Sequence, residues 1–185
     1  DRTARPAFVA ADMLAQAEHN PGSAILLTDD ESLLDKVLTE LDRQLAALPT
    51  ANAAAKCLEE LGAIVIVRNM DEAAEMADQM APEHLQIETA NPRDLADRIN
   101  AAGAVFLGHF SPESAGDYVA GPSHTLPTGG TARFWSGLSS LSFLRTNSMI
   151  EYTAEGIRRD APAIDLIGRA ENLEAHARSA TIRAE

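Results

Sequence analysis

Ala63-Ile64-Val65-Ile66-Val67 is the stretch that decides the fold. It is short, continuous, apolar and β-branched, the pattern of a parallel strand covered on both faces. Gly62 stands just before it and stops a helical pattern over Ala51–Leu61. A break at Pro49-Thr50 separates that helix from an earlier one over 30–47, for which Asp29 or Asp30 offers a cap. Before this lies another apolar run, Ala24–Thr28, read as a buried strand. Phe8, Val9, Ala11, Met13, Leu14 and Ala17 recur at helical spacing after Pro6, predicting a helix over 6–19 that Asn20-Pro21-Gly22 stops.

On the other side of the central strand the alternation continues. A helix is expected over 71–80, a short strand over 85–88, a helix over 92–101 closed at Gly103, and a strand over Ala104–Leu107. Strand and helix in turn imply an α/β fold, a mostly parallel sheet with flanking helices. The expected layout is an incomplete Rossmann-like domain over 1–138 and a mainly helical arm over 139–185. From 108 to 137 Gly, Pro, Ser and Thr dominate and periodicity vanishes. That is too long for an ordinary connection, and long loops on a rigid α/β scaffold commonly carry function. Short elements are expected at 138–144 and 149–152, then helices over 154–159, 162–169 and 172–182.

Composition bounds the function. Of 185 residues, 45% are apolar and only 4% aromatic, so the core must be aliphatic. The formal charge of −13 and the lack of a Lys/Arg stripe argue against nucleic acid as a partner. No apolar run approaches the roughly 18–20 residues that cross a bilayer, so no membrane partner is expected. The single Cys57 cannot form an internal disulfide and fits a reducing cytoplasm, where it reads as a small apolar residue. The amino terminus lacks both a secretory segment and an initiator Met, suggesting a processed or truncated product.

The candidate chemistry centres on five histidines. Gln16 and His19 stand three apart at a helix end, on one face, where they form either half of a metal site or a solvated terminus. Glu83 and His84 adjoin between a helix and a strand: a general-base pair, or two exposed groups in a proline-led turn. Asp117, inside the glycine-rich loop, can bind a metal or cap a turn. Glu171 and His176 sit five apart on the last helix, where an exposed terminal helix is the plain alternative. His109 reads as a strand-end polar residue. Gly129-Gly130-Thr131 lacks the lysine of a phosphate loop, so no nucleotide loop is expected here. Spacing by itself does not make these residues converge.

Four segments taken in order resemble histidinol dehydrogenase: LAQAEHNP at 14–21, APEHLQIE at 81–88, AGAVFLGHFSPESAGDYVAGPSHTLPTGGTARF at 102–134 and ENLEAHA at 171–177. The long central segment is highly specific. The family oxidises histidinol to histidine in two NAD-dependent steps through an enzyme-held aldehyde. The resemblance implies zinc held by Gln16, His19, Asp117 and His176, a nitrogen-and-oxygen set suited to a borderline metal. It implies His84 as the base for hydroxyl protons and Glu83 as the activator of water. Substrate contacts would come from Gln16, His19, His84, Asp117, Glu171 and His176. The family's tail swaps between subunits, so Glu171 and His176 would complete the partner's site in an obligate homodimer.

Two departures stand out. Where the family's tail reads Glu-Gly-Leu, this chain has Asn172. About the first half of the family's length is missing, with the NAD-contacting domain, so no cofactor-binding residue is named and the fragment by itself is expected not to turn over. Two other functions remain in view: a paralogous dehydrogenase acting on a sulfonated diol, and a non-catalytic remnant that binds zinc or dimerises.

Overall fold

Glycines, prolines and short polar side chains place the element boundaries. In the computed structural model, which describes every residue except Asn20, Pro6 opens α1 (Pro6–Ala17) and Asp30 caps α2 (Glu31–Leu45). The Asp30 carboxylate accepts from the Ser32 amide at 3.0 Å, satisfying one of the donors that every helix start leaves free. The helix α3 (Ala51–Leu61) runs into β2 (Gly62–Ile66), and Asn69 caps α4 (Met70–Met80) through the Glu72 amide at 3.0 Å. Asn20, read above as part of a helix stop, lies outside the described residues.

The chain divides into two compact units, Asp1–Phe143 and Leu144–Glu185. In the first, β1 (Ala24–Thr28) pairs in parallel with β2, Ala24 facing Gly62 and Thr28 facing Ile66. Likewise β3 (His84–Ile87) pairs in parallel with β4 (Ala104–Leu107), His84 facing Ala104. The α/β class with parallel strands is as expected, but among the described residues the strands form two separate pairs. Neither pair is covered on both faces: Ile25 and Ile66 of the first pair are each 41% exposed, and Val105 of the second is 44% exposed. The reason is that the aliphatic core gathers between helices instead. Val9, Ala10, Met13 and Leu14 of α1 meet Leu33, Val37 and Leu41 of α2 and Ala54 and Cys57 of α3. Cys57 is buried with its thiol against the Gly22 carbonyl at 3.0 Å, the small apolar role expected of it.

Other differences are local. The helix expected over 92–101 is only α5 (Pro92–Ala96), because Asp78 accepts the amides of Asn100 and Ala101 and ties that segment to α4. The featureless stretch from 108 onward contains a single-turn helix, α6 (Ser114–Tyr118), and a 3-10 turn, Thr131–Arg133. Arg133 fastens this turn by donating to the carbonyls of Gly130 and Gln79. Another 3-10 turn, Ser140–Phe143, falls within the element expected at 138–144, whereas 149–152 forms no regular element.

In the second unit, α7 (Ala154–Ala170) is continuous through Pro162, where a break was expected. The proline removes one helical donor, but Pro162 and Arg158 both face solvent, so water can take the freed carbonyl. Thr153 caps α7 through the Gly156 amide at 3.1 Å. The helix α8 (Glu174–Ala184) returns along it with small residues in between: Ala161, Gly168, Ala177 and Ala180 are buried. Asn172, standing at the family's glycine position, has φ of 59°. That is the left-handed region, which Asn tolerates better than other residues with a Cβ.

Replacing Asn172 tests this turn. Asn172→Ala is expected to destabilise the hairpin by about 1 kcal/mol, while Asn172→Gly is expected to cost nothing. Denaturant unfolding of the two variants reads the difference.

Candidate functional site

The Glu83–His84 pair follows a strained turn. Ala81 ends α4 in the left-handed conformation, φ 49°, and is fully buried beside Ala101 and Ala132. This reversal sends Pro82, Glu83 and His84 directly into β3. The incoming β4 then crosses at Gly103, whose amide donates to the Pro82 carbonyl at 2.9 Å, with the next amide, Ala104, donating to the Glu83 carbonyl at 2.8 Å. A Cβ on Gly103 would stand 2.5 Å from that same Glu83 oxygen. Only glycine permits so close an approach.

The other wall comes from α6. Gly116 faces the Phe106 ring, and a Cβ there would meet Cζ at 2.7 Å. The Phe106 ring lies 5.8 Å from the His84 imidazole, tilted by 51°. With α6 pressed this close, Glu113 and Asp117, four residues apart and therefore on one helical face, both reach His84. His84 Nδ1 is 3.7 Å from Glu113 Oε2, and His84 Nε2 is 3.9 Å from Asp117 Oδ1. From α1, Gln16 brings its Oε1 to 3.3 Å from His84 Nδ1. Among the described residues, donor atoms of His84, Glu113 and Asp117 all lie within 4.8 Å of one another, close enough to share one metal ion.

Electrostatically the site is frustrated. The side chains of His84 and Glu113 are only 9% and 7% exposed, and His84 Nε2 and Glu113 Oε2 have no hydrogen-bond partner. Burial pushes the Glu113 carboxyl up; the charge of His84 opposes this, Asp117 adds to it, and His19 and Glu83 act more weakly in opposite directions. A cavity of about 570 Å³ opens alongside, lined by Asp12, Gln16, Glu83, His84, Glu88 and Glu113 among others. Half-burial, reinforced by Glu88 and Glu113, pushes Asp12 up to about 7. An N/O donor set with unpartnered buried atoms suits a borderline divalent cation.

Gln16, His84 and Asp117 are thus brought together, with Glu83 lining the same cavity. Asp117 lies in a helix rather than capping a turn. His19 is exposed beyond the end of α1, its amide donating to the Gln16 carbonyl at 3.3 Å. Glu171 and His176 belong to the second unit, on different elements: Glu171 caps the end of α7, and His176 lies exposed in the first turn of α8. His109 is more than a polar strand end, since its Nδ1 pairs with buried Glu88 at 3.3 Å. Glu113 was not anticipated. Its spacing to Asp117 is the signal, visible only once 114–118 is read as helical.

The family model described as histidinol dehydrogenase matches residues 1–184. The chain belongs to the histidinol dehydrogenase family. A histidinol dehydrogenase of Rhodopirellula baltica is 51% identical over 185 residues, all of this chain and 40% of the relative. One of Nitratidesulfovibrio vulgaris is 52% identical over 184 residues, 99% of this chain and 42% of the relative. A crystal structure of histidinol dehydrogenase from Elizabethkingia anophelis superposes with a TM-score of 0.87 at 41% identity, covering 98% of this chain and 42% of that one. The chain therefore spans about two-fifths of the length of these histidinol dehydrogenases. No helix among the described residues is long and apolar enough to cross a membrane.

Two measurements test the geometry. Gly116→Ala is expected to destabilise the first unit by about 1–3 kcal/mol through overpacking on Phe106, and Phe106→Leu in the same chain is expected to recover part of the loss in thermal melts. Asp12, about 7 when folded and near 3.8 when unfolded, keeps its proton longer in the native state. Stability should accordingly fall as pH rises from about 4 to 7. Asp12→Asn should flatten that fall, melting higher than the parent at pH 8 but not at pH 4.

Proposed function

We propose that this chain carries the metal-binding and proton-transfer residues of a histidinol dehydrogenase, which oxidises L-histidinol through histidinal to L-histidine with NAD. The observation that carries this reading is His84 itself: a buried imidazole at the wall of a cavity, its Nε2 unpartnered, between Gln16, Glu113 and Asp117. A general base needs such a free lone pair held where a substrate proton can reach it.

In this reading Gln16, His19, Asp117 and, from the second unit, His176 hold zinc. When bound, zinc supplies positioning and charge stabilisation rather than redox chemistry, and NAD, held by residues outside this chain, accepts the hydrides. His84 takes the substrate's hydroxyl protons at Nε2. Glu83 takes a proton from the water that adds to the aldehyde before the second oxidation. Glu171 contacts the substrate's polar groups. The arm over 139–185 exchanges between two copies of the chain, so that each Glu171 and His176 serves the partner's site. Exposed apolar residues on the arm, Met149 at 96% and Ile150 at 81%, support burial against another chain.

The test uses an enzyme of full family length bearing this chain. His84→Ala is expected to lower histidinol turnover by about 10²–10⁴ while zinc content stays at the parental value. His19→Ala is expected to lose the zinc. Equal loss of zinc in both variants would assign His84 a structural role, and turnover of a sulfonated diol in preference to histidinol would reassign the substrate.

A further inference from the structure

We propose that Glu113 is a positioning residue, which holds His84 as the Nδ1–H tautomer and so keeps the Nε2 lone pair free to take a proton. This rests on the reading of His84 as the base and adds the group that orients it.

The argument starts from which atoms face the ring. Nδ1 looks toward two oxygens, Gln16 Oε1 at 3.3 Å and Glu113 Oε2 at 3.7 Å. An amide oxygen accepts, and so does a carboxylate, so Nδ1 must bring the hydrogen. Nε2 has no hydrogen-bond partner, and its nearest charged neighbour, Asp117 Oδ1, stands 3.9 Å away. The ring is therefore polarised with its hydrogen on the Glu113 side and its lone pair on the Asp117 side. Phe106 packs against the imidazole and limits its rotation.

Glu113 rather than Gln16 is the lasting partner. Gln16 is a metal ligand in the proposed site, and an amide oxygen turned toward a cation is a poorer acceptor. Glu113 Oε2 is itself buried and unsatisfied, and a buried acceptor without a partner bears its desolvation penalty uncompensated. Closing the 3.7 Å separation by about 1 Å would satisfy both groups with one hydrogen bond. Catalytic hydrogen bonds that are long in the unliganded enzyme commonly tighten when substrate binds. Orientation of an imidazole by a buried carboxylate is a recurrent device, since the carboxylate fixes the tautomer and stabilises the imidazolium that forms.

The experiment uses the full-length zinc enzyme, with NMR of ¹⁵N-histidine and with steady-state kinetics. In the parent, the signals that disappear in His84→Asn are expected to report the Nδ1–H form. A His84 found as the Nε2–H form overturns the proposal whatever the kinetics. Glu113→Ala is expected to lower kcat by about 10–100-fold, leave KM and zinc content within about twofold, and move His84 toward the Nε2–H tautomer. Glu113→Gln, whose amide oxygen still accepts, is expected to recover most of kcat.

In a His84→Asn background, Glu113→Ala is expected to cost nothing further, because its effect passes through the ring. An equal loss in both backgrounds overturns the positioning role, as does an unchanged tautomer with full kcat in Glu113→Ala, which would leave Gln16 as the sole orienting group. If His84→Asn retains full turnover, the reading of His84 as the base fails; the tautomer measurement still decides separately whether Glu113 governs the ring.

Discussion

A buried polar atom without a partner is expensive, and the candidate site holds two of the four found among the described residues. Nε2 of His84 and Oε2 of Glu113 are shut away from water with nothing to bond. Much of the first unit is arranged to keep them there. The left-handed turn at Ala81, the close crossing at Gly103 and the contact of Gly116 with Phe106 each remove slack around the imidazole. Buried polar atoms left in this way mark a spot that a bound water, ion or ligand can complete. The acidic surroundings of Asp12, Glu88 and Glu113 then favour a cation or a proton-rich substrate over an anion.

What could be read before any coordinates was what local chemistry decides. Ala24–Thr28, Ala51–Leu61 and Ala104–Leu107 fall where the apolar runs and glycines put them. Burial was less legible. The Ile64–Ile66 run looks like a strand covered twice over, yet whether a face is covered depends on what other segments pack there. Pro162 misled for a related reason, since a proline breaks a helix only where the lost hydrogen bond cannot be replaced.

The site was legible in part. Gln16, Glu83, His84 and Asp117 could be singled out by type and by family likeness; Gln16 and Asp117 both reach His84, and Glu83 lines the same cavity. Glu113 could not, because its value lies in a single helical turn hidden among Gly, Pro and Ser. A five-residue helix has too few positions to show periodicity. It forms because α6 is wedged against Phe106, a contact between residues ten apart in the chain whose fit depends on the missing Cβ of Gly116. Asn172 makes the opposite point: a departure from the family's glycine that leaves the backbone conformation within reach.

The two strand pairs carry a further implication. Each is a ribbon with two outer edges, so backbone amides and carbonyls along β1, β2, β3 and β4 remain free for additional strands among the described residues. Apolar side chains such as Ile25, Ile66 and Val105 stand partly bare beside them. Such borders recruit whatever extended peptide comes near, including another molecule of the same kind. Handled in isolation, this polypeptide would gain solubility from charged residues set at those borders, because its overall negative charge is carried elsewhere.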